Sequence, residues 1–350
     1  MTADILAQTQ SREGVEPARV ISANIHNYRI QTELGPATLE VPGKFYYNAA
    51  DDRDLPAVGD WLLIRRIDAE TAVLDEILPR RGVLFRKTAG KKFAIQVIAA
   101  NVDLAFIVQG LDRPLNGNSI ERYMVLARSA GAQPLLLLTK KDLLSPEQFS
   151  QVQEGAAKIA NDVPVFICNS NEQTDIAALE QYIPQGQTAC FLGPSGVGKS
   201  TLINGLLGEQ VQNTQSVRAK DAKGRHTTTQ RQLFSLPHGG LVIDTPGMRE
   251  LGLLEMDLGL DETFEDIEEW AKSCRFRDCT HEHEPECGVR AAVERGELAR
   301  ERYQGYLKLD GERRKLSQDP ILIQMKRKRE EKVLSRAVKN YFRVTSKGKK

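Results

Sequence analysis

Short stretches in which apolar and polar residues alternate occupy residues 19–25, 28–32, 37–42, 60–66 and 71–78, with turn residues such as Gly35-Pro36 and Gly59-Asp60 between them. Period-two alternation over such short runs specifies half-buried strands, and about five of them in roughly sixty residues suit a small closed barrel of the OB type. An SH3-like barrel would use the same strands, and the pattern alone does not separate the two. From residue 97 to about residue 253 the pattern changes to unbroken apolar runs at 104–109, 134–138, 163–167, 188–192 and 241–243. Amphipathic stretches at 120–129, 146–159 and 201–207 lie between them. Unbroken runs are what a parallel sheet covered on both faces requires, and their alternation with helices predicts a doubly wound α/β domain. Beyond Asp261 the chain is charged and helical in composition, interrupted by a cysteine cluster. The expected organisation is a loose terminus at 1–17, a barrel at 18–82, an α/β domain at 83–260 and a helical domain at 261–350.

Composition narrows this picture little: 41% hydrophobic and 27% charged residues in 350 describe an ordinary multidomain protein and exclude fibrous, disordered and disulfide-scaffold classes. No apolar run reaches the ~18 residues that cross a bilayer, and the segment from Met1 to Ala18 lacks the apolar centre of a secretory signal, so a cytoplasmic protein without membrane contact is expected. Five cysteines, Cys168, Cys190, Cys274, Cys279 and Cys287, are odd in number and three of them crowd together, which favours metal ligation over disulfides in a reducing compartment. Charge changes the picture more. Residues 321–350 carry 11 Lys or Arg against Glu330 and Glu331, a local +9 that leaves about −8 on the rest of a chain whose net charge is +1. Such a tail suits nucleic-acid phosphates or a solvated helix equally well. Arg80, Arg81, Arg86, Lys87, Lys91 and Lys92 put further positive charge on the exit from the barrel, to face phosphates or to solvate a linker.

Gly193-Pro194-Ser195-Gly196-Val197-Gly198-Lys199-Ser200-Thr201 fits the phosphate-loop pattern G-x-x-x-x-G-K-[ST], between an apolar run and a helical segment as that motif requires. Its glycines let successive amide N–H groups point at phosphates, and the helix N-terminus adds partial positive charge. Lys199 can bridge the outer phosphates, and Ser200 offers a hydroxyl to Mg²⁺. Thr139-Lys140-Lys141-Asp142 follows another apolar run and resembles the guanine-specificity motif Asn/Thr-Lys-x-Asp. One carboxylate can accept hydrogen bonds from guanine N1 and N2, whereas adenine has no donor at either position, so Asp142 would reject ATP. The Lys140 stem can pack on the base and Thr139 can brace the loop. Asp244-Thr245-Pro246-Gly247 resembles D-x-x-G, with Asp244 reaching Mg²⁺ through water and the Gly247 amide sensing the γ-phosphate. Gly224-Arg225-His226-Thr227-Thr228-Thr229 suits a switch loop in which Thr227 or Thr228 coordinates Mg²⁺.

In ordinary GTPases the phosphate loop comes first and the guanine motif late, but here Asp142 precedes Gly193. All parts must still converge on one nucleotide, which predicts a circularly permuted domain. Met248 occupies the place where many GTPases carry a water-orienting Gln. A thioether cannot position water, so slow intrinsic turnover is expected, with His226 or a partner orienting the nucleophile.

Permuted motif order, GPSGVGKST at 193–201, GRHTTT at 224–229 and the cysteine cluster that follows give the chain its resemblance to the bacterial and organellar RsgA (YjeQ) family, over roughly residues 20–292. The resemblance implies an OB barrel, a circularly permuted P-loop GTPase domain and a zinc-binding helical domain. It also implies ribosome-stimulated GTP hydrolysis in late maturation of the 30S subunit, with 16S rRNA as partner, and a monomer is expected. Cys168-Asn169-Ser170 stands where such GTPases carry Ser-Ala, and its residues differ, so it is left outside the expected site. The competing readings are a P-loop enzyme transferring phosphoryl groups to a small substrate and an RNA-binding scaffold with a vestigial nucleotide site.

Cys274, Cys279, His281 and Cys287 form C-x4-C-x-H-x5-C, three thiolates and one imidazole, the ligand set of a closed tetrahedral structural zinc site. His283 is a rival imidazole; the family pattern and the tight Cys-x-His spacing favour His281. The metal is expected to stabilise a domain with few apolar residues of its own.

Overall fold

The computed structural model describes residues 12–24, 27–87, 95–208, 231–244 and 257–347. The barrel is built from β1 (Glu16–Asn24), β2 (Asn27–Thr32), β3 (Gly35–Glu40), β4 (Trp61–Arg66) and β5 (Thr71–Ile77), with the short helix α1 (Gly43–Asn48) between β3 and β4. Strand β2 alternates strictly between exposed and buried positions, so Tyr28, Ile30 and Thr32 point inward while Asn27, Arg29 and Gln31 face water. β1 pairs with both β2 and β4, and β3 pairs with β5 in parallel. That closure is a Greek key, which is the OB arrangement; an SH3-like barrel is thereby excluded. Its interior is filled by Val20, Ile30, Leu39, Leu62, Ile64 and Leu74.

A hairpin of β6 (Val83–Lys87) and β7 (Ile95–Ala100) follows, a pair absent from the strands expected from the sequence. Then come β8 (Leu104–Gly110), α2 (Gly117–Ser129), β9 (Gln133–Thr139), α3 (Pro146–Ala160), β10 (Val165–Ile167), α4 (Gln173–Glu180), β11 (Thr188–Leu192), α5 (Lys199–Leu207), β12 (Arg231–Ser235) and β13 (Leu241–Asp244). Ser145 starts α3 with a reciprocal capping box to Gln148, and Pro146 sits at its first turn. The sheet runs β10-β9-β8-β11-β13-β12, parallel except for the β12–β13 pair. β11 is buried at every position and β8 at all but its first, as helices on both faces demand.

The sheet does not stop there. β12 pairs antiparallel with β1 through Ser22↔Gln232 and Ala23↔Arg231, so barrel and α/β sheet form one 11-stranded hydrogen-bonded surface. Buried Arg19 reinforces the seam: its guanidinium lies 5.0 Å from the Trp61 ring centroid and donates to Thr188 Oγ1 at 2.7 Å. Burial lowers its pKa to about 10, so it keeps its charge. Arg80 is turned inward and does not serve a solvated linker: it donates to the fully buried Asp60 at 2.7 and 2.6 Å, because a buried carboxylate beside the seam needs a cation. Arg81 pairs with Asp103 at 2.9 Å while its side chain stays 62% exposed.

The C-terminal part comprises α6 (Asp257–Thr263), α7 (Glu265–Ala271), α8 (Gly288–Glu294), α9 (Arg300–Ser317) and α10 (Pro320–Lys347). Leu260, Phe264, Ile267, Val289 and Tyr306 share a core with Val125, Leu126 and Ala130 of the α/β domain, so the helices are docked on α2. Arg302 fixes the contact between Asp266 at 2.6 Å and Glu121 at 3.1 Å. The described part of the basic tail, residues 321–347, lies in one helix. Its Arg329 reaches Asp51 and Asp54 of the barrel at 3.1 and 2.9 Å, and Lys332 donates to the carbonyl of Tyr47 at 3.3 Å, joining the last element to the first domain. No helix among the described residues is long and apolar enough to cross a membrane.

Candidate functional site

The carboxyl ends of β8, β9, β10 and β11 lie at one edge of the parallel sheet, where open α/β sheets bind ligands. After β11 the chain enters the 193–198 loop. Gly193 has φ +150°, and a Cβ there would lie 2.3 Å from the Val108 carbonyl, so the loop can press against β8 only with glycine at this position. Gly198, at φ +97°, caps α5 in the left-handed region, and Lys199 and Ser200 open that helix. The Lys199 ammonium donates to the carbonyls of Gly193 at 2.8 Å and Pro194 at 2.6 Å, which holds it across the loop.

The motif ending β9 reaches the same place. Thr139, fully buried, donates from Oγ1 to the Val197 carbonyl at 2.7 Å, a direct bond between the 139–142 turn and the glycine loop. Lys140 takes φ +66°, its stem passes beside Gly110, and its ammonium pairs with Asp112 at 3.0 Å. Burial raises the Asp112 carboxyl, but hydrogen bonds from Lys140 and Arg113 outweigh it and hold the group below the ordinary carboxylate value. Asp142 lies in the short turn Lys141–Leu143 and is exposed.

A third loop, residues 168–172, meets the other two. A Cβ on Gly198 would lie 3.6 Å from Ser170 Oγ and 3.8 Å from Thr139 Oγ1, so three chain segments meet within side-chain reach. Its anchor is Asp175 in the first turn of α4, which accepts the Asn169 amide at 2.6 Å and the Lys141 ammonium at 2.8 Å. Hydrogen bonding to Asp175 raises Lys141 above its ordinary value. Ser170 and Asp175 were not among the expected site residues. The strand before them was visible in the sequence, but the residue types of the loop were not those of the motif. Burial pushes the thiols of Cys168 and Cys190 up to about 12, which leaves both as inert core groups.

Asp244 ends β13 beside β11, opposite Gln232 in register. His226, Thr227, Thr228 and Gly247 lie outside the described residues.

A separate site is formed by Cys274, Cys279, His281 and Cys287, whose ligand atoms all lie within 4.8 Å of one another and could hold a metal ion. Cys274 Sγ stands 3.8 Å from Cys287 Sγ and 3.5 Å from His281 Nδ1, which is 3.4 Å from Cys287 Sγ. Burial lowers the pKa of His281, favouring the neutral imidazole that a metal requires. Its backbone is at φ +62° and its carbonyl accepts from Tyr303 Oη at 2.6 Å, so the ring is turned inward. The rival imidazole is placed outside the cage: the His283 side chain is 93% exposed.

The sequence profile of the RsgA GTPase family matches residues 77–254. Small ribosomal subunit biogenesis GTPase RsgA 2 of Lactiplantibacillus plantarum is 41% identical over 312 residues, covering 89% of this chain and 87% of that protein. The RsgA protein of Leptospira interrogans is 39% identical over 352 residues, covering 99% and 95%. Among solved structures, YjeQ from Thermotoga maritima superposes with a TM-score of 0.62 at 28% identity, over 84% of this chain and 97% of that one. YloQ, described as a circularly permuted GTPase, superposes with a TM-score of 0.61 at 25% identity, over 85% and 94%.

Proposed function

We propose, because this chain belongs to the RsgA GTPase family, that it is a GTP-binding and GTP-hydrolysing switch protein acting in late maturation of the small ribosomal subunit. The observation that carries the reading is the Thr139–Val197 hydrogen bond, which ties a guanine-type turn to a phosphate-type loop although the two are far apart in the chain. In this reading Asp142 accepts from guanine N1 and N2, the Lys140 stem lies along the base, and Thr139 braces the glycine loop. Amides of 193–201 and Lys199 hold the phosphates. Mg²⁺ neutralises phosphate charge, with Ser200, Asp244 and Thr227 or Thr228 as its candidate holders and Gly247 as the γ-phosphate sensor. His226 is the candidate for orienting the attacking water, since Met248 cannot.

Zinc is the metal proposed for the cysteine site. Thiolates about 2.3 Å from a tetrahedral zinc stand about 3.8 Å apart, and sulfur and imidazole nitrogen about 3.5 Å apart, close to the separations given above. Four protein ligands leave no open position, so the metal is structural rather than catalytic.

The partner proposed is 16S rRNA within the 30S particle, met by the barrel and the outward face of the basic tail helix, by a monomeric and cytoplasmic protein. Lys326, Arg327 and Lys328 are exposed, whereas Arg329 and Lys332 are turned to the barrel. Cosedimentation tests the function. The protein should pellet with 30S particles most strongly with a GTP analogue, less at raised salt, and Lys199→Ala should lose the nucleotide dependence. Absence from both 30S and 70S pellets in every nucleotide state would remove the ribosomal reading.

A further inference from the structure

We propose that Asp175 is a positioning residue for guanine recognition, one carboxylate that locks the turn carrying Asp142 to the loop on the other side of the base. The inference rests on the reading of Asp142 as the guanine-binding group, and extends it to a residue outside every motif. Lys141 occupies the variable position of T-K-x-D, directly before Asp142, and its side chain turns away to Asp175, 2.8 Å from Oδ1 and 2.6 Å from Oδ2. Oδ2 also accepts the Asn169 amide at 2.6 Å. Backbone bonds join the same two segments: the Lys141 amide donates to the Cys168 carbonyl at 3.2 Å, and the Cys168 amide to the Leu138 carbonyl at 2.8 Å. The Asp175 side chain is 15% exposed, while the second acidic neighbour of Lys141, Glu172 at 3.0 Å, is 52% exposed and correspondingly screened. Asp175 therefore holds both walls of the base pocket, and the adjoining Ser170 carries the same constraint to Gly198 of the phosphate loop.

The chemistry needs a carboxylate. Two oxygens with four lone-pair directions satisfy an ammonium and an amide together, whereas an isosteric Asn offers one acceptor and turns an NH₂ toward one of the two donors. Asp175→Asn therefore frees the Asp142 turn without changing side-chain volume. Hydrogen bonds to Asp142 depend on its orientation, and guanine makes one more of them than hypoxanthine, which lacks the N2 amine.

The test is calorimetric titration with GDP, IDP and ADP. The unaltered protein should prefer GDP over IDP and reject ADP. Asp175→Asn should weaken GDP about tenfold and IDP about threefold, narrowing the GDP-to-IDP ratio. Lys141→Met, which keeps the stem and removes the ammonium, should narrow it in the same direction, and Glu172→Gln should leave it within about twofold. A GDP-to-IDP ratio unchanged in both Asp175→Asn and Lys141→Met would overturn the proposal, because a merely structural carboxylate weakens both nucleotides equally. If the unaltered protein bound ADP as well as GDP, the guanine reading itself would fall, and the two failures are told apart by that first titration.

Discussion

Asp142→Asn is expected to weaken GDP binding by about a hundredfold or more and to move the preference toward xanthosine diphosphate. Two hydrogen bonds from guanine N1–H and N2–H to an ionised carboxylate are each in the range of about 1.5–3 kcal/mol, and together they account for two decades of affinity or more. An amide can keep the N1–H bond through its oxygen, but its NH₂ then faces the guanine amine. Xanthine carries a carbonyl there, which accepts from the same NH₂. Asp142 is exposed in a three-residue turn, so the substitution should leave the fold intact and the melting temperature within a few degrees. Calorimetry with GDP and XDP reads the result directly. Equal affinity of the variant and the parent for GDP would place guanine recognition elsewhere.

Chelation of the zinc proposed for the cysteine site is expected to have the second large effect. A structural zinc site in small domains contributes apparent free energies of about 10–16 kcal/mol near neutral pH, comparable to the whole stability of a domain. Within 272–287 the described residues form no regular helix or strand, and the turns are closed through His281 and Cys287. Removing the ion leaves thiolates and an imidazole crowded without the charge that holds them. Helix α8, which Cys287 caps by accepting the Arg290 amide at 3.5 Å, should loosen with them. Helices α6, α7 and α9 pack on α2 through Phe264, Ile267 and Tyr306, so the loss should be confined to the cysteine loops and α8. A fall in melting temperature of about 10 °C or more on chelation is expected, reversed by zinc and not by Mg²⁺, with hydrogen exchange rising first at 274–294. An unchanged melt, with no zinc by elemental analysis, would assign the four residues to ordinary packing.

Legibility differed between the parts of the chain for physical reasons. The strand, loop and helix around 193–200 were readable because β11 and α5 flank the glycine loop as apolar and amphipathic segments. The central strands were readable because burial on both faces leaves mostly apolar residues, with Gln109, Thr139 and Thr188 as buried polar exceptions at or next to strand ends. Strand β12 was not: in Arg231–Ser235 only Leu233 is buried, and its place in the sheet is fixed by pairing with β1 and β13 rather than by its own pattern. The same holds for Arg19 and Arg80, whose charges are spent on Thr188 and Asp60, partners distant in sequence or invisible to periodicity. Asp175 belongs to this class, since nothing in a lone aspartate at a helix start distinguishes a positioning role from an ordinary favourable charge at the first turn. The tight Cys-x-His spacing favours His281 over His283 in the sequence, and burial separates the two in the structure, where His281 is buried and the His283 side chain is 93% exposed.

That one nucleotide bridges the Asp142 turn and the Gly193 loop is tested most directly by titrating the unaltered protein with GDP and with ADP at equal Mg²⁺. Saturable one-to-one GDP binding is expected, with ADP at least about a hundredfold weaker, since adenine leaves the Asp142 carboxylate without donors. Comparable affinities for the two would mean that phosphates alone are recognised, and would contradict that bridge.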